Sequence, residues 1–282
     1  MIRSNAHKYP ISAMCKILRI ARSTYYYEVK VIPDESDLYE AIQQTFQENR
    51  EVYGARKLKK ALEKKQIFVS RRKITRIMKE LGLKSAYSDK RFKVGSKSVN
   101  NADIPNILAR NFNNHSEYAA VVSDLTYVRV NYKWNYICIL LDLYNREIIG
   151  YSAGPRKDAQ LVFDAFATVS VPLDQIQIFH TDRGNEFDNM LIDEVLEVFN
   201  IQRSLSLKGC PYDNSVAEAT FNLIKAEFVH RHHFKNLEDL RLHLADYVNW
   251  FNNVRLHSTL GYMSPVDYRN QKLSFLSENV LP

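Results

Sequence analysis

Two strand-like apolar runs in this chain each carry a carboxylate where a carboxylate is costly. Gln175-Ile176-Gln177-Ile178-Phe179-His180 reads as a buried strand that closes on Asp182, with Arg183-Gly184 supplying the turn. Val121-Val122-Ser123-Asp124-Leu125-Thr126-Tyr127-Val128 reads as a second strand, with Asp124 in its middle. A carboxylate among Val and Leu is unfavourable unless it is paired or bound to a metal. A third acid, Glu218, falls in an amphipathic helix, with 57 residues between Asp124 and Asp182 and 35 between Asp182 and Glu218. Three carboxylates on three core elements is the arrangement that a pair of magnesium ions requires for phosphoryl-transfer chemistry.

The elements around these acids define a fold. Strand-like runs at 119–130, 135–141 and 146–152, joined by short turns at Asn131-Tyr132-Lys133 and Tyr144-Asn145, predict an antiparallel meander. A helix at about 158–169, the strand ending at Asp182, a helix at 188–199 and a short strand at 201–205 follow. Helices at about 213–230 and 237–253 close the domain. The order β-β-β-α-β-α-β-α is that of a mixed sheet with helices on both faces, an α/β, ribonuclease-H-like catalytic core over residues 116–270 with a tail at 271–282.

Upstream, residues 1–30 predict two short helices, either a small helix-turn-helix or an arm that pairs with another chain. Residues 31–83 predict an all-α helix-turn-helix domain. Leu38, Ile42 and Phe46 stripe its first helix, Leu58, Ala61 and Leu62 its second, and Ile74, Ile77, Met78 and Leu81 its third. Ser70 is placed to cap that third helix and Gly82 to end it. Its other faces carry Arg71, Arg72, Lys73, Arg76 and Lys79, which suits a helix lying in a DNA major groove; an ordinary charged helix is the alternative. Residues 84–115 form a basic linker with Lys90, Arg91, Lys93 and Lys97, either tracking a phosphate backbone or simply flexible.

Charge divides along the same boundary. Residues 1–115 hold 24 Lys/Arg against 11 Asp/Glu, an excess of +13, whereas residues 116–282 hold 15 against 21, an excess of −6. A basic part joined to an acidic one fits a polyanion-gripping module attached to a cation-holding one, although solvated helix faces in a basic protein give the same balance. Three scattered cysteines (Cys15, Cys138, Cys210) indicate neither a disulfide framework nor a zinc site, and a reducing cytoplasm is the natural setting. No apolar run reaches membrane-spanning length and no signal peptide is visible.

In the glutamate helix, Ala217, Phe221, Ile224 and Phe228 form the buried stripe, which sets Glu218, Asn222 and Lys225 on its flank. Period two places Ile176, Ile178, His180 and Asp182 on one face of their strand, and Val122, Asp124 and Thr126 on one face of theirs. Oxygen ligands without His or Cys suit Mg²⁺ or Mn²⁺ rather than zinc. Two such ions would activate the attacking oxygen and stabilise the leaving one, with Asp124 bridging and Asp182 and Glu218 each completing one ion. His180 either orients a ligand or is a satisfied near-core histidine. Asn252, Arg255 and His257 serve equally as DNA contacts or as capping and packing groups. His230, His232 and His233 read as a solvated or phosphate-facing patch. The 17 tyrosines include candidates for base stacking, though core positions account for most of them.

These residues carry a resemblance. The chain resembles bacterial insertion-sequence transposases of the retroviral-integrase-like DDE group, specifically the catalytic product of the second of two overlapping frames. The similar stretches are Ser123-Asp124-Leu125-Thr126-Tyr127, His180-Thr181-Asp182-Arg183-Gly184, and Lys208-Gly209-Cys210-Pro211-Tyr212-Asp213-Asn214 leading to Glu218 and Lys225. Trp250 to His257 and Leu260 to Pro265 are similar near the end; upstream, so are Tyr53-Gly54-Ala55-Arg56 and Ile77 to Leu83. The departures are Val121, where an aromatic is common, and Ala219-Thr220, where Ser and an aromatic often follow the glutamate. The resemblance implies metal-dependent DNA cleavage at transposon ends followed by strand transfer. It implies Asp124, Asp182 and Glu218 as catalytic metal ligands, with two Mg²⁺ or Mn²⁺ ions per site. Lys225, Arg56, Arg71, Arg72, Lys73, Arg76 and Lys79 are expected at DNA, and His180, Asn214, Asn222 and Arg255 in support. The implied partners are terminal inverted repeats, target DNA, further copies of the chain and an upstream-frame DNA-binding product. A catalytically inactive repressor that binds transposon ends and a ribonuclease acting on RNA–DNA hybrids are the contrasting readings.

Overall fold

A computed structural model describes residues 1–27, 34–87 and 104–278, so Lys90, Arg91, Lys93 and Lys97 lie outside the described residues. The chain divides into two compact units, residues 1–40 and 41–282. The first holds α1 (Ile2–Asn5), α2 (Ile11–Ile17) and α3 (Arg22–Tyr26), three short helices where the sequence predicts two. Pro10 sits at the N-cap of α2, where its missing N–H is no loss, and so separates α1 from α2.

Helix α4 (Ser36–Glu48) runs across the boundary between the units, and α5 (Ala55–Lys64) and α6 (Arg71–Glu80) follow. Ile42, Phe46, Leu58, Leu62, Ile74 and Ile77 are all buried, as the spacing of the three stripes requires. Ser70 caps α6 by accepting a hydrogen bond from the Lys73 N–H at 3.3 Å, and Gly82 follows the helix with φ +67°, a left-handed conformation natural to glycine.

The sheet has five strands: β1 (Ala120–Val130), β2 (Lys133–Asp142), β3 (Ile148–Gly154), β4 (Ile178–Thr181) and β5 (Gln202–Leu205). Their order is β3-β2-β1-β4-β5, with β1, β2 and β3 antiparallel and β4 and β5 parallel to β1. Helices α7 (Ala159–Ala167) and α8 (Met190–Val198) cross over between β3 and β4 and between β4 and β5. With α9 (Ser215–Glu227) the order is the β-β-β-α-β-α-β-α of a ribonuclease-H-like core. Helix α9 begins two residues later than the spacing predicts, because Pro211–Asn214 winds as a 3-10 turn before it. Helices α10 (Leu237–Asn253) and α11 (Pro265–Glu278) complete the chain.

One face of the sheet buries Val121, Cys138, Leu140 and Phe179 against Val162, Phe166, Ile192 and Leu196 of α7 and α8. Phe166, Phe179 and Phe187 meet edge to face, with centroids 4.9 and 6.3 Å apart. Gly150 lets α7 lie close on β3: a Cβ there would stand 2.6 Å from the Ala165 carbonyl oxygen. Helix α9 packs against β1 and α10 against β3. Residues 104–110 run beside β5, where the Ser204 hydroxyl accepts from the N–H groups of Ile107 and Leu108. Among the described residues, no helix is long and apolar enough to cross a membrane.

Candidate active site

Asp124 lies on the face of β1 opposite the Phe179 core, opposite Ile139 of β2, and is 9% exposed. Strand β4 pairs with β1 only over Ala120–Val122, so Asp124 stands just beyond the end of that pairing. Its Oδ1 accepts from the Leu125 N–H at 2.7 Å. Asp182 follows the last residue of β4, and its Oδ1 accepts from the Gly184 N–H at 3.1 Å, an Asx turn that bends the chain away from the sheet. Thus both aspartates sit where strands β1 and β4 part.

His180 is fully buried between β4 and β5: Nδ1 lies 2.8 Å from the Ser204 hydroxyl and Nε2 3.2 Å from that of Ser206. Burial lowers its pKa to about 4, so the imidazole is neutral near pH 7 and links two strands. Both ring nitrogens are occupied by serines, the satisfied-core arrangement.

The turn into α9 is held by a residue whose role is not apparent from spacing. Asp213 is buried, and its carboxylate accepts from Arg110 Nε at 2.6 Å, Asn106 Nδ2 at 2.9 Å and the Leu207 N–H at 2.9 Å. Burial alone would raise its pKa, but the Leu207 N–H and Arg110 outweigh burial and keep it below the ordinary aspartate value. The next residue, Asn214, donates from Nδ2 to the Ser123 carbonyl at 3.3 Å and so fastens the start of α9 beside Asp124.

Ala217, Phe221, Ile224 and Phe228 are buried, which leaves Glu218 and Asn222 exposed on the flank of α9. Further along that flank, Lys225 Nζ lies 5.5 Å from the centroid of the Tyr127 ring. Among the described residues, no three His, Cys, Asp or Glu side chains stand close enough together to hold one metal ion. Asp124, Asp182 and Glu218 occupy neighbouring elements without forming a closed cluster; three carboxylates repel one another unless a cation lies between them. The donor chemistry nevertheless fits a hard divalent cation, since all three are carboxylates. Two buried oxygens near Asp124, Thr126 Oγ1 and Asn214 Oδ1, have no hydrogen-bond partner among the described residues. Such oxygens are satisfied readily by the water shell that magnesium retains.

Arg255 lies elsewhere. It is 2% exposed and forks onto Glu227, 1% exposed, with contacts of 2.7, 2.8 and 3.1 Å. Tyr247 donates to the same carboxylate at 3.0 Å, and Arg255 donates to the Tyr87 hydroxyl at 2.9 Å. A second tyrosine from the helical segment, Tyr53, accepts from the Leu256 N–H at 2.7 Å. This buried network joins the α4–α6 segment to the end of the core. Asn252 likewise has a packing role, bonding both the N–H and the carbonyl of Ile148.

On α6, Arg71, Arg72, Arg76 and Lys79 are exposed and Lys73 half-buried, while Ile74, Ile77 and Met78 face inward. Arg71 and Arg72 line a basic cleft with Arg56, Lys59, Lys60, Ser70 and Tyr262. Tyr262 comes from the turn before α11, nearly 200 residues downstream, so no local pattern announces Lys59, Lys60 and Tyr262 as members of one site.

This fold, with one aspartate in β1 and another just past the end of β4, a flanking glutamate helix and a basic helical segment, defines a class. The Integrase core domain family matches residues 114–211 and 218–273, and the HTH-like domain family matches residues 33–91. The chain thus carries an integrase core and a helix-turn-helix-like segment, is similar to insertion-sequence transposases, and is an enzyme of the polynucleotidyl transferase class. It is similar to the transposase InsF for insertion sequence IS3A of Escherichia coli (strain K12), at 29% identity over 283 residues, covering 97% of this chain and 98% of the relative. The transposase InsF for insertion sequence IS3 of Escherichia coli O111:H- is similar at the same identity and coverage. Among solved structures, the HTLV-2 integrase catalytic core domain in complex with magnesium is 14% identical with a TM-score of 0.44, over 54% of this chain and 95% of that one.

Proposed function

We propose that the chain cleaves DNA at transposon ends and joins the freed 3′-OH to target DNA, through Asp124, Asp182 and Glu218. The observation that carries this reading is the nearly buried Asp124 carboxylate at the parting of β1 and β4, beside two unsatisfied oxygens. When bound at these carboxylates, two Mg²⁺ or Mn²⁺ ions would supply charge to activate the attacking oxygen and stabilise the leaving one. The chain's own part is placement. Asp213 and Asn214 fix where α9 starts, α9 carries Glu218 on its flank, and the Asx turn at Asp182 aims the second aspartate. Residues 31–83 grip the terminal repeats, with Arg56, Arg71, Arg72, Lys73, Arg76 and Lys79 toward phosphates and base edges. Lys225 contacts DNA beside the acids. Further copies of the chain, and an upstream-frame DNA-binding product, assemble on the same ends.

The test is Glu218→Gln, which keeps the shape of the side chain and removes its charge. The expected result is loss of Mg²⁺- or Mn²⁺-dependent cleavage and joining, with binding to transposon ends retained. Undiminished strand transfer by this variant would refute the assignment.

A further inference from the structure

The hairpin that carries Asp124 ends in a surface that folding alone does not explain. Tyr127 and Trp134 are 58% and 56% exposed, and their rings meet edge to face with centroids 5.2 Å apart. Cross-strand pairing accounts for that contact. It does not account for Tyr132, which is 84% exposed and occupies the second position of the two-residue loop Asn131–Tyr132. Both loop residues have positive φ, 42° and 67°, and in a tight hairpin of this kind the second position is usually glycine. A bulky side chain held in the left-handed region, and gaining almost no burial there, is a strained position of the sort that accompanies function. Arg129 stands over the Tyr132 ring at 5.4 Å, as Lys225 stands over that of Tyr127 at 5.5 Å.

The place of this surface follows from the proposed site, on which the inference rests. Tyr127 is three residues along β1 from Asp124, an odd separation that turns its side chain to the other, exposed face of the strand. Lys225 is seven residues along α9 from Glu218, about 10 Å, on the same flank of the helix. The helix flank therefore leads from Glu218 to the ledge where Lys225 meets the Tyr127 ring, a distance of about three nucleotide steps. The geometry points to a stacking platform for unpaired nucleobases of the DNA strand next to the scissile phosphate. Cations flank the rings and suit phosphates, and exposed aromatic faces suit bases freed from the duplex, whose paired bases offer only edges to a side chain.

The chain's two tryptophans give a direct readout, since Trp250 is 6% exposed and Trp134 lies on the ledge. The full chain, in EDTA, is titrated with an eight-nucleotide single-stranded thymidine oligomer while tryptophan emission and iodide quenching are followed. The expected result is quenched emission and protection of Trp134 from iodide. Trp134→Ala should weaken oligomer binding about tenfold. Tyr132→Gly, which suits the turn and so leaves the fold intact, should weaken it too, with duplex-end binding by the helical segment retained in both. Unchanged emission on oligomer binding, or wild-type affinity in both variants, would overturn the proposal. So would a Trp134 already shielded in the free chain and a shift from dimer to monomer in Trp134→Ala, which would make the ledge an interface between copies. Because this assay contains no metal, its outcome is separate from that of Glu218→Gln: strand transfer lost in that variant with no stacking signal would leave the catalytic reading standing and remove the ledge.

Discussion

Replacing Arg255 with Met should destabilise the larger unit more than any loss of a DNA contact would. Glu227 is 1% exposed, and its carboxylate takes contacts from Arg255 at 2.7, 2.8 and 3.1 Å and one bond from Tyr247 at 3.0 Å. Without the guanidinium, the Tyr247 hydroxyl and the more distant Lys57 ammonium are left to face a buried charge. Removing one partner of such a pair costs about 3–5 kcal/mol, whereas replacing both by apolar or neutral groups of similar volume is near neutral. For a unit of this size that is a fall in Tm of roughly 6–20 °C. Arg255→Met and Glu227→Gln should each show it, and the double variant should recover most of it. Thermal unfolding followed by circular dichroism over the four-member cycle gives the coupling energy. A single variant within about 1 kcal/mol of the parent, or strictly additive losses, would refute the view that these two charges act as one buried unit tying Tyr53 and Tyr87 to the core.

Asp142 is fully buried, and burial raises its pKa from 3.8 to about 7 against the N–H groups of Tyr144 and Tyr118, with Glu147 and Glu117 adding to the rise. The folded chain then keeps a proton that the unfolded chain releases, so stability should fall as pH rises from about 4 to 7, by at most about 4 kcal/mol. Asp142→Asn should flatten that slope in urea midpoints measured from pH 4.5 to 8, and an unchanged slope would contradict the cause given. Arg72→Ala with Arg76→Ala should weaken binding to transposon ends and lower the salt slope by about 2; an unchanged slope would place the DNA elsewhere than on α6.

Periodicity carries most of the fold. The meander, the crossover helices and the stripe Ala217, Phe221, Ile224 and Phe228 follow from spacing, because burial of one face imposes a period of two or 3.6 on the residues themselves. The buttressing of the site does not follow from spacing. Asp213 takes Arg110 from about a hundred residues upstream, and Glu227 takes Arg255 from beyond α10, pairs that no local pattern encodes. From spacing, Arg255 suits a DNA contact and a packing group equally, and its burial against Glu227 gives it a packing role. His180 resolved likewise, since its two serines lie in and just beyond β5. The basic cleft shows the same limit, with Arg71 and Arg72 legible as part of a charged helix face but Tyr262 brought to them only by the turn before α11. Spacing sets Asp124, Asp182 and Glu218 on adjoining elements, and among the described residues the three do not form one cluster; their closing around a cation belongs to the proposed function.

Anomalous diffraction from crystals of the chain grown with transposon-end DNA and Mn²⁺ reads whether the three acids close around metal. Two manganese peaks are expected within coordination distance of Asp124, Asp182 and Glu218, with Asp124 touching both. Manganese bound away from these carboxylates, or a site completed without Glu218, would contradict the proposed function.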